Sequence, residues 1–510
     1  MKIVSRLYLL CFASFALLIF TSVAGLAAPP DSVEQWGMFE ASFKGPMDGN
    51  PFVDVELAAT FQQYEKSVTV TGFYDGDGIY RVRFMPESVG EWKYRTHSNR
   101  PELDGKTGTL PVTARSAGNH GPVRVRDTYH FTYADGSPYW EIGTTCYAWI
   151  HQSSELQERT LKTLATAPFN KLRMCVFPKW FVYNRTEPRL YPFEGTPTTN
   201  WNFTRFNPAF FQHLEKQIAE LGKLGIEAEV ILFHPYDGQG VPDPHWGFDR
   251  MGAENDDRYL RYVIARLAAY RNVWWSLANE WDFVKSKTMA DWERFGQIVH
   301  TNDPYGHLCS IHNGSKLFDH TRPWITHVSL QNDRPEDAAK YLNQYNKPVI
   351  YDECRYEGDI SEGWGDITAE RLVGLFWKTL ISGAYCGHGE TYTDPHDELW
   401  WSKGGTLRGQ SPARLAFFKT IITHAPAAAG PLAQRNTWGV EGDYYLIYLW
   451  DRQPAKQTIK LPDDTAFKAE VIDTWAMTIT PLPGTFSGRA EIPLLSKPYQ
   501  AIRLVRSSRE

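Results

Sequence analysis

Two polar side chains end a short apolar run near the middle of the chain, and they are the first candidates for chemistry. The run spans residues 274–278, and Asn279 and Glu280 follow it directly, ahead of Trp281. A run of this length that closes on polar groups is typical of a buried parallel strand whose C-terminal tip opens into a site. For an isolated Asn-Glu pair the alternative is a cap on the following helix. A second acid in the same setting, described next, favours an active site over a helix cap.

The second acid is Glu353, which closes the run Pro348-Val349-Ile350-Tyr351-Asp352. In strand order, Glu280 ends strand four and Glu353 ends strand seven. Two carboxylates that project into one mouth can share the cleavage of a glycosidic bond, because one protonates the leaving oxygen while the other attacks the anomeric carbon. A retaining pair would stand about 5 to 5.5 Å apart. Neighbours on a strand point to opposite faces, so only one of Asp352 and Glu353 is expected to aim into the mouth.

Other strand tips offer supporting groups. Arg173, in the run Asn-Lys-Leu-Arg on strand two, can hold a nucleophilic carboxylate ionised through a charge-assisted bond. His234, at the end of strand three, is predicted to bind a sugar hydroxyl or to steady a carboxylate, with a purely structural hydrogen bond as the alternative. Asn279 suits a hydrogen bond to the hydroxyl next to the reacting carbon, a contact that strengthens in the transition state.

A third acid follows strand eight in the phrase His388-Gly389-Glu390-Thr391-Tyr392. Glu390 and Tyr392 are predicted to contact substrate, and Glu390 is the alternative nucleophile to Glu353. Asp237 and Asp282 rank below them, because each is expected to cap a loop.

Aromatic side chains make up 14% of the chain and are dense in the long loop from 178 to 208. Loops of this length inside compact domains tend to be functional. Flat rings with one polar edge stack on sugars, although most of these rings are expected to pack the loops onto the barrel. Trp180, Trp246 and Trp400 are predicted to contact sugar.

Short apolar strands alternate with helical stretches from about 139 to 424. The predicted strands are 139–145, 171–177, 226–233, 273–278, 308–312, 326–330, 348–351 and 384–387. Helical periodicity covers 210–224, 257–270, 289–300, 335–344, 368–381 and 411–423. Eight strands with intervening helices, and no glycine-rich phosphate fingerprint after the first of them, predict an α/β fold with a (β/α)8 TIM barrel rather than an open doubly wound sheet.

Strand patterns without a helical period flank this barrel. In the N-terminal part they cover 52–57, 67–73 and 79–84, with the turn Asp75-Gly76-Asp77-Gly78 before the last. In the C-terminal part they cover 444–450, 457–461, 470–473 and 501–505. The predicted domains are therefore an N-terminal β-sandwich (31–115), a catalytic barrel (125–424) and a C-terminal β-sandwich (425–510).

These residues together resemble a known group of enzymes. Asn279-Glu280 after strand four, a Glu after strand seven and an Asn-x-x-Arg run on strand two are similar to the clan A retaining glycoside hydrolases. The resemblance implies that Glu280 is the general acid/base and Glu353 the nucleophile, with Arg173 and Asn279 in support. The phrases at 143–145, 234–237 and 388–392, and the N-terminal phrase at 74–86, are closer still to the apiosidase-like barrels. The resemblance covers nearly all of the mature chain and leaves the substrate open.

The first residues indicate export. Lys2 and Arg6 precede an apolar stretch at 7–20, and small residues between 24 and 28 offer a cleavage site. The sequence therefore predicts a signal peptide at 1–28 and a secreted or periplasmic protein, with an uncleaved anchor as the alternative. The net charge of −6 argues against nucleic acid or an anionic membrane surface as a partner. The five later cysteines are predicted to be buried free thiols.

The sequence thus predicts an exported glycoside hydrolase that cleaves the O-glycosidic bonds of a poly- or oligosaccharide by a retaining double displacement with two Glu. No cofactor and no metal site is predicted, and carbohydrate is the expected partner. Two alternatives stay open: a non-catalytic carbohydrate-binding protein on a barrel scaffold, and a transglycosylase that uses the same residues. The sugar, the linkage, exo or endo action and the oligomeric state are not fixed by the sequence.

Overall fold

The computed structural model describes residues 32–196, 200–237, 245–396 and 398–507. The predicted signal peptide at 1–28 lies outside these residues. Within the described ranges, no helix has both the length and the apolar character needed to cross a membrane. The chain forms an eight-stranded parallel sheet rolled into a barrel, with strand-rich domains before and after it.

Two sheets face each other in the N-terminal domain, antiparallel except for the parallel edge strand Val33–Glu34, and their aromatic side chains fill the space between. Phe61 of one sheet stacks on Phe84 of the other with 4.0 Å between ring centroids. One sheet has the order Val33–Glu34, Thr107–Thr113, Gly90–Ser98, Leu57–Gln63 and Lys66–Thr71, and the other the order Phe39–Lys44, Ile79–Phe84 and Phe73–Tyr74.

The predicted strand at 52–57 is wrong. Pro51–Asp54 forms a short helix, and the strand begins only at Leu57. Asn50 caps this helix by accepting a hydrogen bond from the backbone N–H of Phe52 at 3.3 Å, and Pro51 supplies the fixed φ of a first helical residue. These two signals outweigh the alternation of apolar residues. The phenyl ring of Phe52 then packs on Phe206 of the barrel domain.

Buried ion pairs join the N-terminal domain to the barrel. Arg83 donates to Glu215 at 2.9 Å, and Arg266 lies 2.7 Å from Asp75. Asp75 and Arg83 belong to the phrase at 74–86, so this phrase forms a domain interface. Its tight turn is confirmed, with positive φ at Gly76, Asp77 and Gly78.

A three-stranded hairpin unit, Val123–Arg126, His130–Tyr133 and Pro138–Tyr139, closes the bottom of the barrel. Phe131 at its centre packs against Trp274 and Tyr385 at 5.4 and 5.2 Å between centroids. The first barrel strand therefore starts later than predicted, because Tyr139 belongs to this hairpin unit.

The barrel strands lie close to their predicted positions. They are β1 (Gly143–Thr145), β2 (Lys171–Cys175), β3 (Glu227–Phe233), β4 (Val273–Ala278), β5 (Cys309–Ser310), β6 (Val328–Gln331), β7 (Val349–Glu353) and β8 (Tyr385–His388). They pair in parallel in the order β5-β4-β3-β2-β1-β8-β7-β6. A single bridge between His312 and Ser329 joins the two edges and closes the barrel.

The barrel helices are α1 (Ser154–Leu164), α2 (Pro208–Lys223), α3 (Ala253–Leu267), α4 (Met289–Asn302), α5 (Ala338–Tyr345), α6 (Ala369–Ile381), α7 (Trp400–Lys403) and α8 (Ser411–Thr423). The sequence did not predict α1. Its buried face consists of Leu156, Gln157, Thr160 and Leu164, so its apolar stripe is interrupted by polar residues. The cap Ser153, which accepts from the backbone N–H of Leu156, marks its start.

Loops above the barrel carry short strands of their own. Phe193–Thr196 and Asn200–Phe206 form a hairpin after β2, and Glu357–Gly358 pairs in parallel with Glu390–Thr391 after β7 and β8. In the C-terminal domain, six strands form one sheet and two form another. These strands are Gly430–Pro431, Thr437–Val440, Tyr444–Tyr448, Lys456–Lys460, Phe467–Asp473, Thr478–Pro481, Arg489–Pro493 and Gln500–Arg506.

The cysteines of the described residues are buried and free, as predicted. The closest pair, Cys354 and Cys386, lies on β7 and β8 with 3.0 Å between the sulfur atoms.

Candidate active site

Glu280 projects from the tip of β4 into the mouth of the barrel. Its backbone adopts a left-handed conformation (φ 51°, ψ 54°), which is uncommon for a residue with a side chain and is found most often at functional sites. The hydroxyl of Tyr236 donates to its Oε2. In the amide orientation that satisfies both its neighbours, Gln331 donates to Oε1 at 3.1 Å. Both side-chain donors are neutral.

Glu353 projects from the tip of β7 into cationic surroundings. Its Oε1 accepts from the Tyr147 hydroxyl and lies 3.6 Å from Arg173 Nη1 and 3.4 Å from His312 Nε2. The carboxylate is 3% exposed, so these charges act in a medium that screens them weakly.

The hydrogen-bond network assigns a proton to Nδ1 of His312. The Ser329 hydroxyl has one proton, which it donates to the carboxylate of Asp352. Ser329 must therefore accept from His312 Nδ1, 3.0 Å away. An unprotonated Nε2 would then place its lone pair against the carboxylate of Glu353. The imidazole ring is thus held on one side by Asp352, through Ser329, and its Nε2 faces Glu353 on the other.

The two glutamates consequently have opposite proton affinities. Burial raises the pKa of Glu280 to about 7, and the charge of Glu353 adds to this effect while Lys179 opposes it. Burial would also raise the pKa of Glu353, but His312, Arg173 and the Tyr147 hydroxyl outweigh it and lower the pKa to about 2. At neutral pH Glu353 is ionised, and Glu280 is protonated in a substantial fraction of the molecules.

Asp352 does not point away from Glu353 as strict alternation requires. Arg173 Nε lies 3.9 Å from Asp352 Oδ1, so this guanidinium contacts both acids. The pairing of β6 with β7 explains this departure. Ser329 pairs with Ile350, and Gln331 pairs with Glu353, so two steps along β6 match three steps along β7. This bulge returns Glu353 to the inner side. Asp352 points to the barrel centre, where Lys171 binds it at 2.6 Å, and Glu353 points to the mouth.

Arg173 and Asn279 lie where the sequence places them. Arg173 is held by Glu229 at 2.9 Å on the barrel side and reaches Glu353 on the mouth side. The Tyr147 hydroxyl lies 2.9 Å from Asn279 Oδ1 as well as against Glu353. Among the described residues the amide nitrogen of Asn279 makes no hydrogen bond, so it is free to donate to a sugar hydroxyl.

Lys179 is the unexpected neighbour of both acids. Its Nζ lies 3.8 Å from the ring centroid of Tyr147 and 4.0 Å from that of Tyr236, the two tyrosines that donate to the glutamates. Phe181 and Trp401 complete an aromatic cage at 4.4 and 5.4 Å. The side chain is 1% exposed, and no hydrogen bond or ion pair to it occurs within the described part of the chain. Burial lowers the pKa of Lys179.

His234 has both ring nitrogens in use. Nε2 lies 3.1 Å from the backbone oxygen of Phe177, and Nδ1 accepts from the backbone N–H of Tyr236 at 3.1 Å. Burial and the charge of Lys179 lower its pKa to about 3, so the ring is neutral. It therefore positions Tyr236, and through Tyr236 it positions Glu280, which is the structural alternative to sugar binding.

Glu390 and Tyr392 form hydrogen bonds with groups other than the paired acids Glu280 and Glu353. Glu390 accepts from the backbone N–H groups of Arg408 and Gly409 at 2.6 and 2.9 Å, and Tyr392 donates to Glu357 at 3.0 Å. Glu390 thus anchors the loop before α8, and Tyr392 holds Glu357, which accepts from the next two backbone N–H groups of the same segment. Asp237 and Asp282 cap loops, as expected, by accepting from backbone N–H groups at 246–248 and 314–316.

The three predicted tryptophans differ in exposure. Trp246 and Trp400 are both 2% exposed, and their indole N–H groups donate to Glu187 and Thr144. Trp180 is half-buried and stacks on His245 with 3.8 Å between ring centroids. Trp401, the neighbour of Trp400, is half-buried against Tyr147 and the other rings of the cage.

Three family descriptions match successive parts of the chain. Residues 32–99 match a domain of unknown function, DUF5060, residues 126–404 match the apiosidase-like catalytic domain, and residues 434–505 match a second domain of unknown function, DUF5605. A solved structure of a glycoside hydrolase candidate from Bacteroides vulgatus is 42% identical, covers 94% of this chain and all of its own, and superimposes with a TM-score of 0.89.

The chain belongs to the apiosidase-like family.

More distant structures share only the fold of the apiosidase-like chain. A family 5 glycoside hydrolase from Bacteroides vulgatus is 17% identical, covers 77% of this chain and 94% of its own, and has a TM-score of 0.58. Another glycoside hydrolase is 14% identical, covers 78% and 100%, and has a TM-score of 0.59. No curated protein matches. Together the family and the fold support glycosidase activity in general terms.

Several residues of the apiosidase-like site were not predicted from sequence: Tyr147, Lys179, Tyr236, His312, Gln331 and Trp401. Tyr236 stands in the predicted phrase at 234–237, and His312 ends the predicted fifth strand, so position alone could have found these two. Tyr147 and Lys179 follow β1 and β2 by a few residues in loops that have no periodic signal.

Proposed function

We propose that this apiosidase-like protein is a retaining glycoside hydrolase, with Glu353 as nucleophile and Glu280 as general acid and then general base. The observation that carries the proposal is the asymmetry of the two carboxylates. The Arg173 guanidinium and the His312 imidazole lie beside Glu353, whereas neutral donors hold Glu280. Where environments push two pKa values apart in this way, the acid and base roles follow from them.

The depressed proton affinity of Glu353 favours retention over inversion. An inverting enzyme needs its second carboxylate to take a proton from water, and a group whose pKa is about 2 is a weak base. The same group is well suited to attack the anomeric carbon and to leave it again. Glu280, with a pKa of about 7, can give a proton in the first step and take one from water in the second.

In the first step Glu353 attacks the anomeric carbon while Glu280 protonates the leaving oxygen, so a covalent glycosyl-enzyme forms and the aglycone departs. In the second step Glu280 removes a proton from water, which displaces Glu353. Arg173 and His312 stabilise the carboxylate of Glu353 when it leaves. Asn279 is proposed to donate to the hydroxyl beside the reacting carbon.

The substrate is proposed to be a poly- or oligosaccharide held against aromatic walls. Trp180 and Trp401 are the half-buried rings near the acids, and they are proposed to stack on sugar rings. Export to the periplasm or beyond is proposed from the first residues of the chain, and it is tested by the N-terminal sequence of the protein after secretion.

The stereochemistry of the first product tests the mechanism. A substrate is found by screening aryl glycosides and plant or algal polysaccharides, and proton NMR then records the anomer formed before mutarotation. The proposal predicts the anomer of the substrate. The opposite anomer would refute retention, and a product longer than the substrate would show transglycosylation by the same pair.

A further inference from the structure

A second pair of acids lies outside the mouth, behind the ends of β7 and β8. Glu357 and Glu390 are direct partners across the short parallel strand pair, and they are 0% and 1% exposed. Like charges directly opposite in a sheet repel, and burial strengthens the repulsion. Among the described residues no ion pair joins a lysine or arginine to either acid, and the guanidinium of Arg408, whose backbone N–H donates to Glu390, pairs with Asp394.

His388 completes this group. One ring nitrogen of His388 and one oxygen of each carboxylate lie within 4.8 Å of one another. Nδ1 is 2.9 Å from the Thr144 hydroxyl, whereas Nε2 has no hydrogen-bond partner although the ring is fully buried. The hydroxyl of Ser411, whose backbone N–H donates to Glu357, is also buried without a partner. A buried polar atom without a partner in the protein can be satisfied by a bound ion or a bound water.

We propose that Glu357, His388 and Glu390 bind a divalent transition metal ion, with zinc as the best match to their donor atoms. One imidazole nitrogen and two carboxylates are ordinary zinc ligands, while calcium and magnesium favour oxygen alone. The dication neutralises two carboxylates that otherwise face each other in a buried setting.

The surroundings hold the three side chains as outer-shell groups hold metal ligands. Glu390 accepts from backbone N–H groups at 408 and 409, and Glu357 accepts from those at 410 and 411. Oε1 of Glu357 also accepts from the Tyr392 hydroxyl, so Glu357 retains a lone pair for a metal ion on Oε2, and Glu390 retains one on each oxygen. Thr144 holds Nδ1 of His388 and itself accepts from the indole N–H of Trp400 at 2.9 Å. Such contacts fix the orientation of a ligating histidine and raise its affinity for metal.

To bind zinc, the three ligand atoms must move closer together. Metal–ligand distances of about 2.1 Å in a tetrahedral zinc site place the ligand atoms about 3.4 Å apart, so a spacing at the 4.8 Å limit closes by about 1.4 Å. The ion would join the ends of β7 and β8 to the loop before α8, and thereby support the wall that carries Trp401.

The proposal is tested on the full-length protein by its metal content and its melting temperature. After incubation with zinc chloride and gel filtration, inductively coupled plasma mass spectrometry is expected to find about one zinc per chain. Zinc at a hundredfold excess over its dissociation constant is expected to raise Tm by about 5 °C, and calcium chloride is expected to leave it unchanged.

Glu390→Gln separates a metal site from a plain acid pair. If the site binds zinc, Glu390→Gln and His388→Gln lose the bound zinc and the Tm response to it, and His424→Gln, on an exposed histidine, keeps both. If Glu390→Gln raises Tm in metal-free buffer and the wild type retains no zinc, the acids merely share a proton and the proposal is overturned. Zinc retained equally by wild type and His388→Gln would overturn it as well. Because the wild-type zinc content is measured directly, a variant that fails to fold leaves the test intact.

Discussion

The tips of β4 and β7 each end in a buried glutamate, but the two tips differ in what surrounds it. At the β4 tip Tyr236 and Gln331 hold Glu280 without a formal charge, and its backbone is in a left-handed conformation. At the β7 tip a bulge turns Glu353 toward Arg173 and His312. Burial is nearly equal at the two tips, at 5% and 3% exposure, so burial does not set them apart. The charges of the neighbouring groups differ instead, and they favour a protonated Glu280 and an ionised Glu353.

The largest expected effect comes from removing the carboxylate at the β7 tip. Glu353→Ala lacks the nucleophile, and kcat is expected to fall by about 10^4-fold or more, as steady-state assays on an aryl glycoside will measure. Glu158→Gln, on the exposed face of α1, is the matched control and is expected to retain full activity. Activity of Glu353→Ala within tenfold of wild type would remove Glu353 from the chemistry.

Removal of the proton donor at the β4 tip is expected to have a smaller effect that depends on the substrate. Glu280→Gln cannot protonate the leaving oxygen, so kcat/KM is expected to fall by about 10^2 to 10^4-fold for a sugar leaving group. For an aryl leaving group of low pKa, which departs without a proton, the fall in kcat/KM is expected to be much smaller. Equal losses with both leaving groups would show that Glu280 is not the acid.

The barrel fold and the positions of the two acids can be predicted from local sequence patterns, whereas the neighbours that set the pKa values of these acids cannot. Apolar runs and their spacing predict the barrel strands within a few residues, and both glutamates end such runs. Tyr147 and Lys179 reach the acids from loops, and no sequence rule tells which way a loop side chain points. Glu390 lies two residues beyond His388 and accepts from backbone N–H groups of the loop before α8, a set of partners that nearness to a strand end does not predict.

The cations at the β7 tip can be tested by the acidic limb of the pH profile. His312→Gln removes the imidazole that lowers the pKa of Glu353, so this pKa rises. The carboxylate must be ionised to attack, and therefore the acidic limb of kcat/KM is expected to move to higher pH. The exposed His424→Gln variant serves as control. An acidic limb that stays in place would mean that His312 does not set the charge of Glu353.

The smallest effect is expected from the caged ammonium of Lys179. Its charge lowers the pKa of Glu280, so Lys179→Met raises this pKa and keeps the acid protonated to higher pH. The alkaline limb of kcat/KM is expected to move up, while the acidic limb stays where it is. Lys162→Met, on an exposed lysine, is the control. A move of the alkaline limb to lower pH would contradict the assigned role.

Azide rescue tests the division of labour between the two tips most directly. With azide added, Glu353→Ala is expected to release a glycosyl azide of inverted configuration, because azide enters from the face that Glu353 vacates. Glu280→Ala is expected to release a glycosyl azide of retained configuration, because azide displaces Glu353 from the glycosyl-enzyme. The configurations are read by proton NMR of the isolated azides. Opposite configurations from the two variants are the predicted result, and the same configuration from both, or inversion restored in Glu390→Ala instead, would contradict the assignment.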